Sequence, residues 1–265
     1  MKTLSELNQW GGELEARLQL RTSPLAIKML QRKEDIPEGA MRPLKDTGRH
    51  LDLCQAFAMS RREKMTVAML KEDHWCYVPV ISLGLAEPPD FFLEGHGEFP
   101  AKVGDLDTAK RLAKAYPRLD FGKYVGIVSA PLRKANFQPD LVAVYCDSAQ
   151  LRCLLTGIKY KNGYLVTSEM DPSGACVQCT VPVLSRRECQ VTVPCGGDRK
   201  RALARDDELI FSLPMEKMDD LIAGLRHFDE VGAGYLQFVP DMKAEHPLPA
   251  VYVKIGKLLG LDVHE

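Results

Sequence analysis

Short apolar runs rich in β-branched residues alternate along this chain with segments whose apolar residues recur every three or four positions, and this alternation limits the fold more than any other feature. Strand signatures fall in "PLAIKML" (24–30), "MTVAML" (65–70), "YVGIVSAPL" (124–132), "LVAVYC" (141–146), "GYLVTSEM" (163–170) and "DELIFSLP" (207–214). Helical spacing runs through Leu4, Leu7, Trp10, Leu14 and Leu18, with a softening expected at Gly11-Gly12. It recurs in "RHLDLCQAFAMSRR" (49–62), "DLDTAKRLAKAY" (105–116), "SAQLRCLLTGIKY" (148–160), "MEKMDDLIAGLRHF" (215–228) and "PAVYVKIGKLLGL" (249–261). The pattern predicts an α/β (α+β) fold, a sheet with flanking helices. Several neighbouring strands leave no room for a helical crossover, so the sheet is expected to be mixed. A chain of 265 residues can bury a substantial core as a single domain spanning 1–265, closed by C-terminal helices in 226–265.

Charge excludes some functions. The formal net charge is −1, which provides no global field for nucleic acid or an anionic membrane. No window approaches eighteen uninterrupted apolar residues, and "MKTLSELNQWGGELEARL" lacks the apolar stretch of a signal peptide. The expectation is a cytoplasmic protein without membrane or nucleic-acid partners. In a reducing compartment the eight cysteines are buried thiols, metal ligands or catalytic thiols rather than a disulfide framework.

One phrase occurs twice: "SRREKMTVAML" from Ser60 and "SRRECQVTVPC" from Ser185. Each lies six residues after a cysteine, Cys54 or Cys179, and is followed by another, Cys76 or Cys195. An apolar strand beginning at a proline precedes each unit. Coincidence between two helix–strand units is one reading. The other is a degenerate duplication, with halves at 20–95 and 138–225 packed about a pseudo-twofold that brings equivalent loops together.

Cys146, Cys153 and Cys189 fall in expected strands or helices, where packing explains them. Cys54, Cys76, Cys176, Cys179 and Cys195 sit differently: two in "SGACVQC", one after the turn "EDHW", one opening "CGGDRK" and one on a helix. Cys176 and Cys179 are expected on the lead-in to a helix beginning near Thr180 or Val181, where free N–H groups favour thiolates. Four thiolates suit a tetrahedral zinc or an iron–sulfur cluster, and the scatter of single cysteines fits a [4Fe–4S] cluster better than zinc. Gly196 and Gly197 allow backbone N–H groups to approach a sulfide, and with Arg199 they form a candidate cofactor cradle. The plain alternative there is a tight turn with a solvated basic face. His74, Glu72 and Asp73 are expected as exposed turn residues.

"CQAFAMSRRE", the Cys76 turn followed by "SLGL" (82–85), "PDLVAVY", "GACVQC" and above all "PCGGDRKRALARDDELIFSLP" resemble domain-of-unknown-function family 169, from about Leu20 to Leu225. The resemblance implies a shared cysteine site at Cys54, Cys76, Cys176 and Cys195, with Cys179 additional here. The function expected is an iron–sulfur protein with a redox or electron-transfer role, working with a partner protein or a small molecule. A zinc- or cofactor-binding module without catalysis, and a thiol enzyme using Cys176 or Cys195 near His74, are the alternatives.

Overall fold

The computed structural model describes residues 2–237 and 249–261. Six strands form its centre: β1 (Leu25–Leu30), β2 (Val67–Leu70), β3 (Gly126–Pro131), β4 (Leu141–Cys146), β5 (Gln190–Thr192) and β6 (Leu209–Pro214). Among the described residues twelve α-helices surround them: α1 (Leu4–Leu18), α2 (Pro43–Thr47), α3 (Leu53–Glu63), α4 (Tyr77–Ser82), α5 (Asp90–Leu93), α6 (Leu106–Ala115), α7 (Ser148–Lys159), α8 (Ala175–Gln178), α9 (Val181–Arg186), α10 (Gly196–Arg201), α11 (Met218–Glu230) and α12 (Ala250–Leu258). The strands lie in the order β2-β3-β1-β4-β6-β5.

The expected class, a sheet with flanking helices, is what the chain adopts. All five ladders between named strands are antiparallel. Parallel geometry is confined to two isolated bridges, Met41–Val67 and Leu51–His74, so the sheet is mixed only in that sense. The strand order reads as three strands, β2-β3-β1, meeting three more, β4-β6-β5, at the β1–β4 pair. The duplication itself is not shown. The two "SRRE" phrases also end their helices at different points: the left-handed C-cap is Lys64 after the first and Arg187 within the second.

Alternation along each strand sends side chains to two separate cores. Leu25, Ile27 and Met29 of β1, with Leu141, Ala143 and Tyr145 of β4, pack beneath α3, α8 and α9. Ala26 and Leu30, with Val142, Val144 and Cys146, pack against α1, α7 and α11 on the other face. Burial on both faces explains why these antiparallel strands are apolar throughout rather than alternating.

Two expectations from local sequence fail for identifiable reasons. α1 runs unbroken through Gly11-Gly12, because Gly11 lies against the backbone of Leu132 and Arg133, where a Cβ has no room. "GYLVTSEM" is not a strand. It lies along β5 and meets its backbone with side chains instead: Cys189 N–H donates to Tyr164 Oη (3.1 Å) and Val191 N–H to Ser168 Oγ (2.8 Å). Gln190 Nε2 donates in turn to Glu169 O (2.9 Å), so the exposed edge is covered without a seventh strand. The expected C-terminal helix is present as α12, while residues 238–248 and 262–265 of the region expected to be helical lie outside the described residues.

Candidate functional site

The sheet sorts the cysteines. Cys146, Cys153 and Cys189 belong to the core on the α1/α7/α11 face. Cys54, Cys176 and Cys179 belong to the opposite core, with Cys195 packed against it. On that face Cys54, Cys76, Cys176 and Cys195 line one cavity of about 770 Å³. Cys179 is fully buried and not among the lining residues; its Sγ donates to Cys176 O at 3.5 Å. All eight cysteines are free thiols.

Short helices aim the four thiols. Cys54 is the second residue of α3, whose N-cap Asp52 accepts from Gln55 N–H (2.9 Å) and closes a capping box. Cys176 is likewise the second residue of its helix, α8, whose N-cap is Gly174 in the left-handed region (φ 69°). Cys76 is the N-cap of α4 and Cys195 the N-cap of α10, each a six-residue helix. Cys195 Sγ accepts from Asp198 N–H at 3.4 Å. The cavity thus receives two cysteines from helix first turns and two from helix N-caps.

"GACVQC" departs from expectation in one respect. α9 does begin at Val181 with Thr180 as N-cap, but an extra helix, α8, precedes it and draws both thiols into the core. Burial pushes the Cys176 thiol well up, and nearby Cys54 adds to this. Burial likewise raises Cys179, and Asp198 contributes. The thiolate-favouring lead-in is therefore replaced by a dry site. Cys54 is raised by burial and by its Sγ donating to Asp52 Oδ1 at 2.9 Å. Cys76 is raised by burial, with the Val78 N–H and Arg201 working against that.

The charged groups around the cavity were not legible as site residues. Asp52 also accepts from Arg201 Nε at 2.6 Å, and the Arg201 guanidinium lies 4.6 Å from the Trp75 ring centre. Lys102 donates to Glu98 Oε1 (2.8 Å), and both line the cavity. Gly196 and Gly197 line it too, as the sequence anticipates. Arg199, grouped with them there, points away and pairs with Asp206; Arg201, two positions on, takes the inward place because α10 turns the intervening residues outward. A Cβ on Gly197 would fall 2.9 Å from Arg201 Nη2, so glycine permits this approach. The one sequence signal for Arg201 is its place at the end of "CGGDRKR".

Asp73 and His74 are buried rather than solvated. Asp73 accepts from Leu70 N–H (2.8 Å), Leu44 N–H (3.1 Å) and Arg42 Nε (2.8 Å), fixing the turn before Cys76. Glu72 remains half exposed. Burial lowers His74 to about 4, which leaves a neutral imidazole near pH 7, and the residue does not line the cavity.

Beneath the cavity Tyr145 Oη donates to Asp198 Oδ2 at 3.2 Å. Burial raises Asp198 to about 7, against the pull of Arg61 and Tyr145. The fully buried Arg61 guanidinium lies 3.8 Å from the Tyr145 ring centre, pairs with Glu208 (3.1 Å) and reaches Ala202 O (3.4 Å). The first "SRRE" phrase thereby ties the Cys54 helix to the chain after Cys195. Its counterpart is only a surface feature, with Arg186 on Glu169 and Arg187 on Glu216.

Among the described residues, no group of three or more His, Cys, Asp and Glu side chains is arranged to hold a single metal ion. No helix among them is long and apolar enough to cross a membrane. Fold and site define an α+β protein with one cavity walled by four thiols drawn from four separate segments. The chain belongs to the DUF169 family, described as an uncharacterised ArCR family, which matches residues 13–224. It is similar to uncharacterized protein MJ0308 of Methanocaldococcus jannaschii, 26% identical over 232 residues that cover 86% of this chain and 97% of that protein. No solved structure matches the chain.

Proposed function

We propose that Cys54, Cys76, Cys176 and Cys195 hold an iron–sulfur cluster, of [4Fe–4S] type, with a redox or electron-transfer role. The observation that carries this reading is the sharing of one cavity by these thiols, while three of the other four lie in the core on the far side of the sheet. The donor set fits: four soft ligands spread around a wall suit a cluster, which is larger than one ion. Their protonation behaviour speaks against the thiol-enzyme alternative. Burial holds Cys54, Cys76 and Cys176 in the thiol form, which suits a nucleophile poorly. To hold a cluster Cys54, Cys76, Cys176 and Cys195 would each give up a proton and ligate as thiolates. When bound, the cluster supplies one-electron chemistry. The chain's own residues bury Cys176, present Cys54 from the capped first turn of α3, and set a cation, Arg201, beside the thiols.

Anaerobic purification with iron, acid-labile sulfide and zinc quantification tests this. The expected protein is brown, absorbs near 400 nm and carries iron and sulfide in equal amounts. Cys54→Ala and Cys195→Ala bleach it, whereas Cys146→Ala leaves iron content unchanged. Colourless protein carrying zinc, or protein free of metal with one fast-alkylating thiol, overturns the reading.

A further inference from the structure

The cavity is much larger than its thiols require. Its volume of about 770 Å³ lies within the roughly 300–1,000 Å³ of small-molecule sites. Away from the cysteines the wall is mainly apolar, formed by Leu53, Val78, Pro79, Val103, Leu112 and Met170. Each acidic side chain in the lining is already engaged. Asp52 holds Arg201 Nε, the Cys54 thiol and Gln55 N–H; Glu98 holds Lys102; Asp171 accepts from Ser173 N–H (2.8 Å) and Gln178 Nε2 (3.4 Å). The Tyr116 hydroxyl is spent on Ser173 O at 2.9 Å.

The cations are not used up. Asp52 takes only Nε of Arg201, and Nη1 and Nη2 have no hydrogen-bond partner among the described residues. The guanidinium lies over the Trp75 ring and is about one-third exposed. Lys102 has one partner for three donors. Two unpaired amino groups on Arg201 and the remaining donors of Lys102 suit an anion; the planar fork suits a carboxylate or a phosphate, and the apolar wall beside it suits the body of an organic acid.

We infer that this cavity binds a small organic acid, its carboxylate on Arg201 with help from Lys102 and its apolar body against the Leu53–Val78–Leu112–Met170 wall. The site is then one where a small molecule meets the thiol-held centre, rather than a relay between proteins. This last step rests on the cluster reading; the selection of an acid does not.

Titration calorimetry on the anaerobically purified full-length chain tests the selection, with 3-phenylpropionate, its neutral amide and phenylethylamine as probes. The acid is expected to bind saturably, about tenfold or more tighter than the amide, and the amine not at all. Arg201→Gln removes the acid's advantage over the amide, and Arg201→Lys restores part of it. Equal binding of acid and amide, no binding of the acid at millimolar concentration, or an Arg201→Gln protein that still prefers the acid each overturns the inference. The comparison of probes on the unaltered chain needs no variant to fold. Iron content of the anaerobically purified chain is scored separately. Iron-free protein that still prefers the acid sinks the cluster and supports the acid site; iron-bearing protein indifferent to the acid does the reverse.

Discussion

Two buried side chains beneath the cavity carry distinct consequences. Asp198 is fully buried and raised by burial to about 7 from an ordinary 3.8, so the native state keeps a proton that the unfolded chain loses. Between those pH values the native state binds more protons, and stability falls as pH rises, levelling above 7. The effect is at most about 4 kcal/mol, taking about 1.4 kcal/mol per pH unit. Buried His74, lowered to about 4 from 6.5, contributes an opposite rise between those values, so the Asp198 part is read as a difference: in urea titrations of the reduced, metal-free protein from pH 4 to 8, the stability of the unaltered chain relative to Asp198→Asn is expected to fall up to about pH 7. Arg61 carries the opposite lesson. Its guanidinium and the Glu208 carboxylate are both out of water, so removing one leaves the other uncompensated. Arg61→Met is expected to cost about 3–5 kcal/mol, and the double change Arg61→Met/Glu208→Gln to recover most of it. Denaturant midpoints of the four proteins in that cycle read the coupling directly. Full additivity of the two single changes would show that the pair does not hold the Cys54 helix to the segment after Cys195.

At the scale of elements, α7 and α11 cross at two glycines. A Cβ on Gly224 would meet the Gly157 backbone well inside contact distance, and the side chains of Leu221 and Leu225 close over Gly157 in turn. Gly224→Ala is therefore expected to destabilise the protein by about 1–3 kcal/mol despite alanine's better helix propensity. A lowered melting temperature with unchanged helical circular dichroism checks it; a neutral or stabilising result would mean the helices can separate freely. Legibility from sequence follows the same division. Strands β1, β3, β4 and β6 and helices α3, α6, α7 and α11 are local events, written in apolar period and in acidic starts such as Asp105; at α7 the cap is Asp147, one residue before the expected opening at Ser148. The failures are tertiary. Gly11 looks like a weak point until the backbone it packs on is known, and "GYLVTSEM" has strand composition but spends Tyr164 and Ser168 on its neighbour's N–H groups. The site behaves alike. Cysteines following turn signals could be singled out, but Arg201 over Arg199, and the split of the thiols between two faces, depend on α10 and on strand parity that no local pattern encodes.

On the scale of the whole molecule, the family match ends at residue 224, so α12 stands outside the shared body. Of its residues only Val253 and Gly256 are buried, while Val251, Tyr252, Ile255 and Leu258, with the C-cap Leu259, face outward, each more than half exposed. Burying one valine contributes roughly 1.5–3 kcal/mol. Ordering nine helical residues costs about 1–2 kcal/mol each before their hydrogen bonds are counted, so α12 has little surplus with which to stabilise the body. None of its residues lines the thiol cavity, and the elements that do, from α3 to α10, are tied together by the sheet and by Arg61. A chain ending after Pro249 is therefore expected to melt within about 3 °C of the full-length protein and to carry the same iron per chain. It should also be more soluble, because an exposed apolar face is a route to self-association. Calorimetry and iron analysis on the two lengths decide the matter. A drop of ten degrees or the loss of iron would mean that α12 is part of the body and that the cavity depends on a segment remote from all four of its cysteines.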